Sequence, residues 1–368
     1  MVKKIILILF AIAFICIAAC STMSNKTTRN LNNLPLKDIY KNDFLMGNII
    51  NHTYMDGDYF NLLKTHFNTV TCENAMKPDH LGPVIRGGAY RFAEADRMVD
   101  RMIENDIQVH GHVLVWHSQS HAWMTNGTPE EVRENMADYI NTVLEHYKGR
   151  VFSWDVVNEA FANGIFDPSN WRNCLRFNSG WYQALGPDFI ELAFRTARAA
   201  DPDITLYYND YGLNNRNKAI AVSNMVREIN DKYKAEGNTR NLIEGIGMQG
   251  HYGLWLNVND VRNSLGIFRE LGVEVSISEL DVESYLTNNA QWGTNRNSPL
   301  EESQALQQAR LYAQLFRLFR ENSDIIKRVT FWGMDDKNNW KSIGNPCLFD
   351  GDLKPKPAFF AVLNPDSY

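Results

Sequence analysis

The stretch GVEVSISELDV, residues 272–282, contains a short strand that ends in two acids. Its apolar residues alternate with small or polar ones, which predicts a β-strand. Glu279 and Asp281 follow, and the two-residue period of a strand places them on one face. Strict alternation turns Glu274 toward the other face, so we expect a bulge in this strand. Burying a carboxylate is costly unless it is paired, so a functional site and a salt-bridged strand end both fit this stretch.

Residues 1–20 predict a signal peptide for export. Lys3 and Lys4 precede an uninterrupted apolar run over residues 5–19, which is shorter than the ~20 residues that span a bilayer. The run ends in IAAC, residues 17–20, which resembles the lipobox of bacterial lipoproteins with Cys20 as the acylated residue. An ordinary cleavage site with an incidental cysteine is the alternative.

Residues 21–33 are rich in Ser, Thr and Asn and predict a flexible tether. Together with the lipobox, this tether predicts an exported lipoprotein anchored in the outer membrane, on its periplasmic or cell-surface side. The lipid anchor would be its only contact with the membrane.

The composition of the chain excludes several classes of protein. Hydrophobic residues make up 44% of it, which is enough for a sizeable core over residues 34–368. A net charge of −6 argues against nucleic acid as the main partner. The chain has five cysteines and no CxxC pair, which excludes a disulfide scaffold and a cysteine-rich zinc site.

Strand-like and helix-like segments alternate along the body of the chain. The strand candidates are residues 44–50, 69–72, 108–116, 151–158, 205–209, 244–249, 273–278 and 329–332. Amphipathic helix candidates include residues 92–105, 129–146, 189–200, 217–235 and 300–322. Eight strands separated by helices in one undivided chain predict an α/β fold, the parallel (β/α)8 TIM barrel, as a single catalytic domain. Two packed doubly wound domains are the alternative, but no Pro/Gly/Ser-rich boundary supports them.

Polar residues follow nearly every predicted strand, at the end where barrel enzymes carry their chemistry. Glu159 and Glu279 end the fourth and seventh strands, which lie roughly opposite each other in a ring of eight. Two facing carboxylates suit glycoside hydrolysis. Four histidines could instead ligate a dinuclear metal site: His110, His112, His117 and His251. No HExxH or comparable ligand pair supports that site, so we expect neither a metal nor another cofactor.

The motifs resemble glycoside hydrolase family 10, the (β/α)8 endo-1,4-β-xylanases, over about residues 36–363. The segments that carry the resemblance are TCENAMK (71–77), GHVLVWHSQ (111–119), WDVVNEA (154–160), YNDY (208–211), GMQGH (247–251) and SELD (278–281). Gly250 stands where serine or threonine is common in the family. The segment WGMDDKNNW, residues 332–340, varies the family's usual last-strand sequence, and the loop over residues 283–303 leaves the contacts on the leaving-group side unassigned.

The resemblance implies a role for each matched residue. Glu279 would be the nucleophile, and Glu159 would be the acid/base, protonated until the bond is cleaved. Asn158 would hydrogen-bond the sugar 2-hydroxyl, while His251 and Asp281 would hold Glu279 in place. The substrate-binding residues implied are Glu73, Asn74, Lys77, His112, Trp116, Asn158, Gln249, His251, Trp332 and Trp340.

The implied function is a retaining endo-1,4-β-xylanase that hydrolyses internal bonds of xylan through a covalent glycosyl-enzyme. Its partners would be β-1,4-xylan and xylo-oligosaccharides, and it would act as a monomer without a cofactor. Two alternatives stay open. One is a related enzyme acting on another β-1,4-glycan, such as cellulose or mannan. The other is a glycan-binding surface lipoprotein without catalysis, against which the presence of both carboxylates argues.

Overall fold

Parallel strand pairing around a closed ring organises the fold. The computed structural model describes residues 34–286 and 300–368, so the predicted signal peptide, Cys20 and the tether lie outside the described residues, as does most of the 283–303 loop. The strands in the described parts are β1 Leu45–Ile50, β2 Thr69–Cys72, β3 Gln108–Trp116, β4 Ser153–Asn158, β5 Thr205–Asp210, β6 Gly245–Met248, β7 His251–Gly253, β8 Glu274–Glu283 and β9 Ile326–Phe331.

The strand order makes a (β/α)8 barrel. Strands β1 to β6 pair in chain order, β6 pairs with β8, and β9 closes the ring between β8 and β1. All of these pairs are parallel. The predicted fold is therefore confirmed, and the alternative of two doubly wound domains is wrong. By its internal contacts Pro35–Tyr368 forms one compact unit.

Two predicted strand bounds were wrong by three residues or more. The seventh barrel strand continues to Glu283 because the short strand β7, which was not predicted, pairs in parallel with its end. The last strand begins at Ile326, three residues earlier than expected. Its first half was not predicted because Lys327 and Arg328 give the sequence the charged character of a loop, although Arg328 is buried. The expected bulge is confirmed, since the register of β8 against β9 shifts twice, after Val275 and after Ile277.

Helices cover the outside of the ring. In the described residues they are α1 Leu36–Ile39, α2 Gly57–His66, α3 Pro78–Leu81, α4 Ala93–Ile103, α5 Pro129–Tyr147, α6 Gly180–Leu185, α7 Phe189–Ala200, α8 Arg216–Ala235, α9 Val258–Arg269, α10 Glu302–Glu321 and α11 Pro357–Leu363. The start of α5 shows how the sequence sets a boundary: Thr128 and Glu131 form a reciprocal capping box around Pro129. None of the described helices is long and apolar enough to cross a membrane.

The inside of the barrel is unusually polar. Residues that pair in register lie on the same face of a sheet, and one run of such pairs joins His112, Asp155, Tyr207, Gly245 and Glu274 across five strands. Branched apolar residues usually fill this space in TIM barrels. Here glycines make room for polar neighbours, since a Cβ on Gly245 would lie 2.1 Å from the Tyr207 ring. The apolar core therefore lies mainly between the strands and the helices, where for example Phe331 stacks on Phe316 of α10.

Candidate active site

The two acids predicted to do the chemistry lie at the same end of the barrel. Glu159 directly follows β4, and its φ of 55° is uncommon for a residue other than glycine. Such backbone conformations cluster at functional sites. Glu279 lies within β8, one residue before the position where that strand resumes pairing with β9 at Leu280.

Glu279 is buried and held as an anion. Its Oε1 accepts a hydrogen bond from Asn209 Nδ2 at 2.9 Å, and its Oε2 lies 3.1 Å from His251 Nε2. Burial alone would raise the pKa of Glu279. The hydrogen bond from His251, the electrostatic effect of the His112 and His251 rings, and the Asn209 amide outweigh it and lower that pKa below its usual value. The side chain is therefore a carboxylate at neutral pH.

The other ring nitrogen of His251 continues a chain of alternating charge. His251 Nδ1 lies 2.8 Å from Asp281 Oδ2, and Lys341 Nζ lies 3.3 Å from both Asp281 Oδ1 and Glu283 Oε2. Burial would lower the pKa of His251, but Asp281 and the hydrogen bonds to both carboxylates raise it to about 9. His251 is therefore an imidazolium at neutral pH, and it stabilises the Glu279 carboxylate.

Glu159 has a different environment, with neutral donors around its carboxyl group. Trp116 Nε1 donates to Oε2 at 2.9 Å, and Gln249 Nε2 donates to Oε1 at 2.9 Å. Within the described residues, no Lys, Arg or His nitrogen lies within 4.0 Å of this carboxyl group. Three amides link it to Glu279, because the Asn158 amide lies 3.3 Å from that of Gln249 and 3.0 Å from that of Asn209.

A second group of predicted residues forms the adjoining wall. Lys77 Nζ donates to Asn74 Oδ1 at 2.9 Å and to Gln119 Oε1 at 3.0 Å, and it lies 5.2 Å from the centre of the Trp116 ring. Burial lowers the pKa of Lys77, although Glu279 and Glu73 oppose that shift. Glu73 Oε2 accepts a hydrogen bond from Asn51 Nδ2 at 2.8 Å.

Aromatic side chains border the two histidines of the site. The Trp332 ring lies 5.6 Å from the His112 ring, and the Trp340 ring lies 5.1 Å from the His251 ring, both edge to face. These contacts and the electrostatic effect of Glu73 on Lys77 place the predicted catalytic and substrate-binding residues in one region. Their individual roles remain predictions.

His112 owes its orientation to Asp155, whose part the sequence did not indicate. His112 Nδ1 lies 2.9 Å from Asp155 Oδ2, and His110 Nε2 lies 3.1 Å from the same oxygen. Burial would raise the pKa of Asp155, but the two histidines lower it well below its usual range. An ionised Asp155 holds the His112 ring in place through Nδ1.

The histidines do not form a metal centre. In the parts of the chain that the structure describes, no group of three or more His, Cys, Asp or Glu side chains is placed to hold a metal ion. His110 and His112 share Asp155, and His251 bridges two carboxylates. Burial and the nearby Arg176 lower the pKa of His117 to about 4.

The comparison with protein families agrees with this geometry. The sequence model named Glycosyl hydrolase family 10 matches residues 35–365. The chain belongs to this family.

Individual family 10 proteins are similar over most of the chain. A β-1,4-xylanase of Dictyoglomus thermophilum is 37% identical, and the match covers 89% of this chain and 90% of that protein. Endo-1,4-beta-xylanase A of Thermotoga neapolitana is also 37% identical over 90% of this chain, which spans only 31% of that longer relative. The crystal structure of a family 10 xylanase with a bacterial Ig-like domain, from termite gut, matches with a TM-score of 0.85 at 38% identity and covers 93% of this chain and 80% of that one.

Besides Asp155, two further residues of this family 10 site were missed in the sequence. Glu283 and Lys341 are 3% and 5% exposed, yet each stands in a polar stretch that reads as a solvated loop. Only the positions of these residues in the sequence could have indicated that they belong to the site. Glu283 continues the two-residue spacing of Glu279 and Asp281, and Lys341 directly follows the predicted site residue Trp340. With them, three buried carboxylates alternate with two buried cations.

Replacing Lys341 tests this arrangement. Lys341→Met should lower the free energy of unfolding by about 3–5 kcal/mol, because Asp281 and Glu283 would remain buried without their shared cation. Lys354→Met is the matched control, since Lys354 pairs with Asp352 at 3.6 Å on the surface, with both side chains more than 70% exposed. It should leave stability almost unchanged. Urea unfolding of both variants measures the difference, and equal stabilities would contradict the assigned role of Lys341.

Proposed function

We propose that this family 10 protein is a retaining endo-1,4-β-xylanase that hydrolyses internal bonds of xylan and xylo-oligosaccharides. The observation that carries the proposal is the asymmetry of the two linked carboxyl groups. Glu279 is buried beside the cationic His251, whereas the described side chains that donate to the Glu159 carboxyl group are the neutral Trp116 and Gln249. A fixed anion beside a group free to carry a proton is what double displacement requires. The names of the similar xylanases support the choice of xylan.

The first step forms the glycosyl-enzyme. Glu279 Oε attacks the anomeric carbon while Glu159 donates its proton to the glycosidic oxygen, so the bond to the leaving sugar breaks as the ester bond forms. In the second step Glu159, now a carboxylate, takes a proton from water. The resulting attack on the anomeric carbon releases Glu279 and gives a product with the original β-configuration.

The surrounding residues orient the sugars. Asn158 meets the 2-hydroxyl beside the nucleophile, and His112 presents Nε2 to a neighbouring hydroxyl. Lys77, held by Asn74 and Gln119, supplies a buried cationic donor. Glu73 accepts from sugar hydroxyls, and Trp332 and Trp340 enclose the reacting ring with their apolar faces. These residues supply all of the proposed chemistry, and we propose that the protein acts as a monomer without a cofactor.

Substrate comparison tests the activity. The purified protein should release reducing sugar from xylan and act much more slowly on carboxymethylcellulose. Faster hydrolysis of the cellulose derivative would favour the alternative hypothesis, an enzyme that acts on another β-1,4-glycan. Binding to xylan without release of reducing sugar would favour a glycan-binding protein without catalysis.

The two carboxylates are tested by azide rescue. Glu279→Ala should abolish turnover, and azide should fill the vacated space and give the α-glycosyl azide from a substrate with an acidic phenol leaving group. Glu159→Ala should lower xylan hydrolysis by roughly 10²–10⁴-fold, because the leaving group is no longer protonated. It should still form the glycosyl-enzyme from the activated substrate, and azide should then give the β-azide.

Product stereochemistry by NMR reports both results. The wild type should give the β-anomer first, through two inversions. An α-configured first product would refute the retaining mechanism. Exchanged azide stereochemistry between the two variants would mean that the roles of Glu159 and Glu279 are reversed.

We also propose that the protein is exported and anchored by lipid on Cys20, with residues 21–33 as the tether and residues 34–368 as the catalytic barrel. The basic residues Lys3 and Lys4, the apolar run and the IAAC sequence support this proposal. Two or more acyl chains would give stable anchoring where one chain is marginal.

Substitution of the cysteine tests the anchor. Cys20→Ala should give soluble or uncleaved protein, because no residue remains to be acylated. Membrane fractionation and intact mass of the expressed protein measure the outcome. A cleaved Cys20→Ala protein that still fractionates with membranes would contradict the proposal.

A further inference from the structure

Arg328 of β9 lies inside the barrel, beneath the catalytic residues. It is 2% exposed, and it pairs in register with Ser276 of β8, whose side chain is also buried. Its Nη1 donates a hydrogen bond to Thr71 Oγ1 of β2 at 3.2 Å, across the barrel interior. Nothing in the proposed mechanism uses this arginine.

Among the described residues, Arg328 and Lys77 differ from the other buried lysines and arginines because neither has a close carboxylate. Arg198, Lys218, Lys341 and Lys356 each lie within 3.3 Å of a carboxylate oxygen. Among the residues that the structure describes, no carboxylate oxygen lies within 4.0 Å of the Arg328 guanidinium. Burying a cation without a partner is costly. Its charge must therefore be balanced by anions farther away in the same interior.

Those anions belong to the active site. Thr71, which holds Nη1, pairs in register with His110, and His110 Nε2 lies 3.1 Å from Asp155 Oδ2. Among the described residues, Asp155, Tyr207 and Glu279 act electrostatically on Arg328 across the barrel, and Arg328 acts on His110. The Tyr207 hydroxyl donates to Glu274 Oε2 at 2.7 Å, so Tyr207 is neutral, and Glu274 has its own donor. Burial and Arg328 lower the pKa of His110 to about 4, so His110 is neutral as well. Asp155 and Glu279 remain as the anions that the guanidinium stabilises.

The hydrogen-bonding groups point to the same connection. In the described residues, Nη2 of Arg328 and Oδ1 of Asp155 are both buried without a protein hydrogen-bond partner. The oxygen Oδ2 of Asp155 lies close to both histidines. Buried polar groups without a protein partner commonly bind ordered water, so each of these two atoms is suited to one.

We propose that Arg328 is a positioning residue for the reaction described above, whose fixed charge keeps Asp155 and Glu279 ionised from inside the barrel. It acts on the substrate only through other residues, since an ionised Asp155 orients His112 and an ionised Glu279 is the nucleophile. This inference rests on the proposed glycosidase function.

The test is the acidic limb of the pH profile of kcat/KM, measured on an aryl β-xylobioside with an acidic leaving group. Removing the buried cation raises the pKa of nearby carboxylates, so Arg328→Met should lose activity at a higher pH than the wild type. We expect a shift of about one pH unit, which is the order of magnitude of the effect of a unit charge in a partly polar interior. Arg328→Lys keeps the charge and should restore most of the wild-type profile.

Arg198→Met is the matched control. Arg198 is also buried and cationic, but it pairs with Glu244 outside the barrel interior. Its loss should lower the melting temperature and leave the acidic limb unchanged.

If Arg328→Met does not fold, Thr71→Val replaces it, because valine keeps the shape of threonine and removes the hydrogen bond that holds the guanidinium. The same limb should then shift in the same direction by a smaller amount.

The outcomes separate the two proposals. An active wild type and a folded Arg328→Met variant with the same acidic limb would overturn the role of Arg328, as would an unshifted limb in Thr71→Val. A wild type that cleaves neither xylan nor the aryl substrate would refute the glycosidase function itself.

Discussion

Three carboxylates on one face of β8 set the requirement that the rest of the site satisfies. Glu279, Asp281 and Glu283 are spaced at the two-residue period of a strand, and all three are buried. Like charges at this spacing would repel in a poorly solvated interior. His251 lies between the first two, and Lys341 lies between the second and third. The alternation of charge therefore follows the geometry of the strand itself.

Each cation is positioned by a different structural element. The strand β7 positions His251, because its register places His251 opposite Asp281. The loop after β9 positions Lys341, and residues nearer the C-terminus hold this loop in place. Lys356 forms an ion pair with Asp336 at 2.8 Å and donates to the carbonyl oxygens of Asn345 and Cys347. The segment that leads into α11 thus fixes the position of the cation that Asp281 and Glu283 share.

The sequence predicted the barrel and both carboxylates because these leave strong patterns. Alternating apolar residues define the strands, and acids at strand ends stand out against them. Other features leave no such pattern. A strand of three residues, as β7 is, has no measurable period. Lys341 lies just beyond the polar residues 335–339, so in the sequence it resembles a solvated loop residue.

The sequence did not predict the polar interior of the barrel, for a different reason. Thr69 and Thr71 alternate with Val70 and Cys72, which resembles a strand with one face in water. In the structure both faces are buried, since all four residues of β2 are at most 1% exposed. Sequence pattern alone does not separate a polar face in solvent from a polar face inside a barrel, because both have the same two-residue period.

The asymmetry between the two acids has a consequence for the whole proposed cycle. Before the reaction Glu279 carries the negative charge and Glu159 carries the proton. In the glycosyl-enzyme Glu279 is an ester, and Glu159 has become the carboxylate. The net charge of the pair is thus the same in both states, and only its location changes. His251 and Lys341 do not need to move in either step, because the anion they stabilise is consumed in the first and regenerated in the second. A site built from buried ion pairs is rigid, and a reaction that conserves charge within it can use that rigidity as fixed electrostatic stabilisation.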